Sequence, residues 1–167
     1  MNKFILFVFL SAITFTNVSA QENTATDTPV YLRFPTIPQF VLAKTPDSTT
    51  LTREHLKKKV NTLFFMFSPD CNHCQYETEE IIKNLKKFKD AQIIMISYFP
   101  WDQMMTYYNH YKIGNYPQIT MARDNNYFFP TFFSMNTFPS TYIYDKQGKF
   151  KKSFEGAVKI EDILNEL

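Results

Sequence analysis

Cysteine is almost absent from this chain: its 167 residues include two, Cys71 and Cys74. Both thiols are therefore committed to one place, and a disulfide framework joining distant segments is excluded. Glycine is nearly as scarce, with three in all, which leaves few tight glycine turns. Neither sign of charge dominates, the net charge being +2. The basic cluster Lys57-Lys58-Lys59 closes an expected short helix instead of alternating with aromatics, so it reads as a solvated face and not as a nucleic-acid surface. The apolar run at the start of the chain, Phe4 to Leu10 with Ile13 and Phe15, falls short of the ~20 residues of a membrane-spanning helix. Beyond it there is no internal repeat and no low-complexity tract.

That first stretch has another reading. Lys3, the short apolar core and Val18-Ser19-Ala20 before Gln21 have the order of a secretory signal peptide, with small or aliphatic residues at the −3 and −1 positions of a cleavage site. An uncleaved anchor is the weaker alternative, and with no cysteine after the cut a lipid anchor of the usual bacterial type has no attachment point. About 147 residues remain after residues 1–20 are removed, enough for one domain with a real core and too few for two. The expected organisation is a signal peptide over 1–20, a flexible lead-in over 21–35 that is rich in Thr, Asp and Pro, and a single domain over 36–167.

The chain is rich in aromatics, with 18 Phe and 10 Tyr. Packing of the interior is the favoured explanation, with an aromatic binding groove as the alternative. Residues 37–44 read as an edge strand, and 52–59 as a short helix with Thr52 as its cap. The continuous apolar run Thr62-Leu63-Phe64-Phe65-Met66-Phe67 has strand length and suits a strand buried on both faces. A helix over 71–89 leads from it to a second such run, 92–98, completing a right-handed βαβ unit. A second helix is expected over 102–111, a short strand over 119–121, and an aromatic helix or loop near 127–133. A β-hairpin follows through Asp145-Lys146-Gln147-Gly148, and an amphipathic helix over 160–167 closes the chain.

The chemistry sits where the first buried run ends. Cys71-Asn72-His73-Cys74 opens a helix, where unpaired N–H groups and the positive end of the dipole favour thiolate over thiol. A purely structural bridge between residues three apart closes too small a loop to restrict the unfolded chain much. Zinc needs about four ligands, and His55, His73 and His110 are scattered. Haem attachment wants His after the second cysteine, where Gln75 stands. Thiol–disulfide exchange, which needs neither metal nor cofactor, is the favoured reading, with an inert bridge and a metal site as the weaker alternatives. Cys71, at the exposed helix start, is expected to attack. Cys74, one turn in and facing the core, is expected to resolve the mixed disulfide, the pair closing on itself as one disulfide.

Two further residues have open roles. His73 lies between the thiols, where it either stabilises the Cys71 thiolate or is an inconsequential loop histidine. Glu77 falls about 60° around the helix from Cys74 at 3.6 residues per turn, at the border of the buried stripe. It is either a partly desolvated proton carrier for Cys74 or an acid placed to complement the helix dipole. Far along the chain, Phe138-Pro139 precedes the hairpin, with Pro139 either an ordinary turn proline or a cis-proline lying against the dithiol.

The buried strand, the Cys71-Asn72-His73-Cys74 helix start, Pro139 before Thr141-Tyr142-Ile143-Tyr144-Asp145-Lys146-Gln147-Gly148, and the terminal helix together resemble a thioredoxin fold. With the export signal and an additional N-terminal hairpin, the chain resembles extracytoplasmic thioredoxin-like proteins of the TlpA/ResA type over roughly residues 36–167. The resemblance implies an α/β fold, a central mixed sheet flanked by helices with an N-terminal hairpin extension. It implies that Cys71 is the nucleophile, Cys74 the resolving cysteine, and Pro139 a cis-proline lining the partner groove with Phe138. Glu77 matches the glutamate that ResA-like proteins carry three residues after the second cysteine.

The chain also departs from the pattern. Thioredoxin has a buried aspartate six residues before the first cysteine, where this chain has Phe65, and relatives place Thr, Val or Ile where Phe138 stands. The resulting expectation is an exported, monomeric thiol–disulfide oxidoreductase of the bacterial periplasm or cell envelope. It would exchange disulfides with disulfide- or dithiol-bearing proteins and a membrane redox partner, with a slight lean to reductase. A redox-inactive binding module that uses residues 127–133, or a thiol peroxidase-like redoxin, is the competing expectation.

Overall fold

The computed structural model describes residues 28–167. The expected signal peptide and the first part of the lead-in, 21–27, lie outside them. Seven strands form one mixed sheet: β1 (Val41–Lys44), β2 (Thr50–Thr52), β3 (Asn61–Met66), β4 (Ala91–Ser97), β5 (Ile119–Arg123), β6 (Ser140–Tyr144) and β7 (Phe150–Glu155). Their order is β2-β1-β5-β4-β3-β6-β7. β3, β4 and β5 run parallel, while β6, β7 and β1 join antiparallel. This is the α/β sheet with an N-terminal hairpin that the sequence foretold.

The two apolar runs became the central strands because every residue of β3 and β4 is buried. Alternation along β3 divides the core in two. Leu63, Phe65 and Phe67 face α2 (Asn72–Lys83), α3 (Trp101–His110) and α5 (Ile160–Leu164), whereas Phe64 and Met66 face α1 (Val30–Arg33) and α4 (Phe128–Phe133). The abundant rings mostly fill the second layer: Phe129, Phe132, Phe133, Tyr142 and Tyr144 are all buried there. Asp124 starts the α4 turn, its carboxylate accepting the Asn126 and Phe129 N–H groups at 3.1 and 2.8 Å.

Several boundaries differ from the expectation, and the edge strand expected over 37–44 is instead β1, limited to Val41–Lys44 and held between β2 and β5. Residues 52–59 do not form an α-helix. After β2 there is one 3-10 turn, Arg53–His55, and the Lys57 N–H is taken by Gln92 Oε1 at 2.8 Å, so the helix cannot propagate. The helix expected over 71–89 ends at Lys83 because Asn84 Nδ2 turns back onto the Glu80 carbonyl at 2.9 Å; a 3-10 turn, Leu85–Phe88, then buries Phe88. The last helix stops at Leu164. The described part of the lead-in, 28–35, packs onto the domain. Tyr31 of α1 is buried edge-on among Phe133, Tyr142 and Phe150, and Phe150 donates its N–H to the Pro35 carbonyl. The hairpin turn at Asp145 is closed by Gly148, whose φ of +77° suits glycine.

Candidate active site

β3 delivers the dithiol. Phe67 still bonds the Ile96 carbonyl of the neighbouring strand at 3.0 Å, and the chain then leaves the sheet through Ser68-Pro69-Asp70. The Cys71 N–H closes that turn on the Ser68 carbonyl at 3.2 Å, and Cys71 itself caps α2 with extended backbone. Its sulfur takes the place of the usual cap oxygen, accepting the Cys74 N–H at 3.2 Å. The two thiols are free and unequal. Cys71 is half-buried, whereas Cys74 is fully enclosed in the first core layer. Burial, followed by the hydrogen bond with Cys71 and the nearby Glu77, pushes the Cys74 thiol far above its ordinary range.

Glu77 stands one turn after Cys74 on α2. It is 2 % exposed, and desolvation lifts its pKa from 4.5 to about 7. The Thr141 hydroxyl of β6, donating to Oε1 at 3.4 Å, and the Val158 backbone oppose this shift less strongly. Oε2 has no hydrogen-bond partner among the described residues. A solvated carboxylate that merely complements a dipole would sit on the outer face of α2, as exposed Glu79 does. Phe65, standing where thioredoxin has its aspartate, is buried and pairs with Thr141 across the sheet, so the carboxylate reaches the site from the helix and not from the strand.

His73 is exposed on the first turn of α2 and makes no hydrogen bond to the described residues. Phe138 and Pro139 precede β6, whose first residue, Ser140, pairs with Met66 at the end of β3 that leads to Cys71. The Phe138–Pro139 peptide is cis, and Pro139 is buried. Phe138 packs on Tyr98 and Phe99 at centroid distances of 5.7 and 6.1 Å, and Tyr127 joins Tyr98 at 4.7 Å. This aromatic wall lies beyond the C-terminal ends of β4 and β5, the same sheet edge as the dithiol. On the other flank an open cleft of about 390 Å³ separates Pro69 and Asp70 from Asp102, Thr106 and His110 of α3.

A profile of the AhpC/TSA family matches residues 35–153. The chain belongs to the AhpC/TSA family. This redoxin has the thioredoxin fold, as three solved structures show. The exposed lipoprotein thioredoxin of Streptococcus pneumoniae is 18 % identical, with a TM-score of 0.60 over 78 % of this chain and 100 % of that one. A peroxiredoxin-like protein of Aquifex aeolicus gives 16 % and 0.61 over 78 % and 82 %. StoA of Bacillus subtilis gives 12 % and 0.58 over 78 % and 98 %. Comparison with curated protein sequences gives no match.

Three aromatic residues of these surroundings were not singled out in the sequence. Tyr107, buried in α3, places its hydroxyl 2.7 Å from Thr78 Oγ1 and 3.3 Å from the Cys74 carbonyl. Its spacing from Met104, three residues back, was the available signal for a buried face. Tyr98 and Phe99, just past a buried strand, carried no such signal.

Proposed function

We propose that the protein is an exported thiol–disulfide oxidoreductase of the bacterial cell envelope that reduces disulfides in partner proteins. The observation that carries this reading is the pairing of a half-buried Cys71 with an enclosed Cys74 that has a buried carboxyl, Glu77, one turn away. Cys71, as thiolate, attacks one sulfur of the partner disulfide; a Cys71–partner bond forms and the other partner sulfur leaves as thiolate. Cys74 then gives its proton to the Glu77 carboxylate and attacks the Cys71 sulfur. The partner's second sulfur departs, the Cys71–Cys74 disulfide closes, and the partner has gained two electrons. A membrane dithiol would return the protein to its reduced form. The Phe138-Pro139 segment and the rings around it line the surface a partner must cover to reach Cys71, and exposed His73 stands at the rim of that surface.

The family and the likeness to a peroxiredoxin-like protein favour a second reading, peroxide reduction at Cys71. In both readings Cys74 resolves, so the substrate of the first step separates them. The binding-module reading is weaker, because Phe129, Phe132 and Phe133 are spent on the core. Equilibration with thiol redox buffers tests the proposal. A reversible two-electron couple near ~−270 mV supports a reductant and one near ~−120 mV reverses the direction, whereas the lack of any reversible couple overturns disulfide exchange. Turnover of hydrogen peroxide but not of protein disulfides would favour the second reading.

A further inference from the structure

We infer that Tyr107 is a positioning residue for the resolving step, its phenolic hydroxyl holding the Cys74 turn of α2 from the α3 side. The inference rests on the disulfide-exchange reading above. Tyr107 lies with its ring against Phe67 at a centroid distance of 4.7 Å and beside Tyr111 at 4.5 Å. These contacts aim the hydroxyl at two residues of α2, one helical turn apart: Thr78 Oγ1 at 2.7 Å and the Cys74 carbonyl oxygen at a longer 3.3 Å.

One arrangement of protons satisfies both bonds. A carbonyl oxygen only accepts, so Tyr107 donates to Cys74, and Thr78 must then donate to Tyr107. Cys74 and Thr78 are fully buried and Tyr107 is 4 % exposed, which leaves water no easy way to replace a missing partner. Burial also raises the phenol above its ordinary range, so it keeps its proton.

Cys74 is thereby held between two clamps. Glu77 ties the same turn to β6 through Thr141, and Tyr107 ties it to α3. Resolution requires the Cys74 sulfur to reach the Cys71 sulfur to within about 2.05 Å, so freedom of this turn wastes encounters. The attack by Cys71 does not depend on how the Cys74 turn is held. Removing the hydroxyl should therefore slow one of the two chemical steps and spare the other.

Stopped-flow reaction with dithiobis-nitrobenzoate separates those steps. Cys71 attacks the reagent and releases the first coloured thiolate; Cys74 then displaces the second from the Cys71 sulfur, giving the Cys71–Cys74 disulfide. Tyr107→Phe keeps the ring and its contacts with Phe67 and Tyr111, and thermal unfolding checks that it folds. The expected result is a first phase within about twofold of wild type and a second phase slowed about fivefold to tenfold, the loss of one buried hydrogen bond. Thr78→Val leaves the Tyr107–Cys74 bond in place and should keep the second phase within about twofold. An unchanged second phase in Tyr107→Phe overturns the inference, as does equal slowing of both phases or slowing of the same size in Thr78→Val. A wild-type protein that releases only one equivalent would overturn the disulfide-exchange reading itself, and this inference with it.

Discussion

Replacing Glu77 by Gln keeps size and helix propensity and removes a proton site whose titration the structure places near neutrality. Holding a carboxyl at about 7 instead of 4.5 corresponds to about 3 kcal/mol, at 1.36 kcal/mol per tenfold. The sign follows from which state prefers the proton. Below pH 4.5 the group is protonated folded and unfolded alike, and no penalty arises. Above 7 it is charged in both states, and the folded protein bears the full desolvation cost. Glu77 thus makes stability fall by about 3 kcal/mol as pH rises from 4.5 through 7. In Glu77→Gln that part of the slope disappears, so urea unfolding at pH 5 and pH 8 should differ less than in wild type by about this amount.

The kinetic expectation for the same variant is separate. In wild type, the second phase of the dithiobis-nitrobenzoate reaction should rise with the ionised fraction of Glu77, about tenfold between pH 6 and pH 8, and then level off. Without that base Cys74 depends on hydroxide. The variant's second phase should be about a hundredfold slower at pH 8 and climb tenfold per pH unit without a plateau. Glu79→Gln, an exposed acid on the same helix, serves as the control. Identical pH profiles for wild type, Glu77→Gln and Glu79→Gln would refute the proton-carrier reasoning and leave Glu77 an expensively buried acid with no part in exchange.

Two further outcomes are expected. Iodoacetamide should label Cys71 in the folded protein and reach Cys74 only on unfolding, since Cys74 is 0 % exposed; mass spectrometry of partly alkylated protein checks this, and early labelling of Cys74 would reverse the two roles. Phe138→Ala removes a half-buried ring from Tyr98 and Phe99, which should lower stability by about 2 kcal/mol, less than the 3–5 of a fully buried Phe. It should reduce kcat/KM for a protein disulfide while leaving the first phase with the small aromatic disulfide unchanged; equal losses for both substrates would remove Phe138 from the partner surface.

Most of the sheet could be read from the chain because its strongest signals are local. The runs at 62–67 and 92–98 are too apolar for any strand but a central one, and a helix beginning at Cys71 follows from the turn before it. The errors arose where a distant residue decides. Gln92 takes the Lys57 N–H and stops a helix that Thr52 was well placed to cap. Tyr31 folds the described part of the lead-in because rings from α4, β6 and β7 surround it. At the site, Glu77 was visible through helical periodicity, yet its depth of burial depends on β6 and the segment before α5. Periodicity within α3 could mark Tyr107 as buried but not show that its hydroxyl bonds a residue 33 positions earlier.

The central claim is that Cys71 and Cys74 exchange disulfides with proteins. Reduction of insulin by dithiothreitol, followed as the turbidity of the released B chain, tests it most directly. The account predicts that catalytic amounts of the protein accelerate precipitation and that Cys71→Ser abolishes the acceleration. No acceleration by the wild type, or the same acceleration by Cys71→Ser, would contradict it.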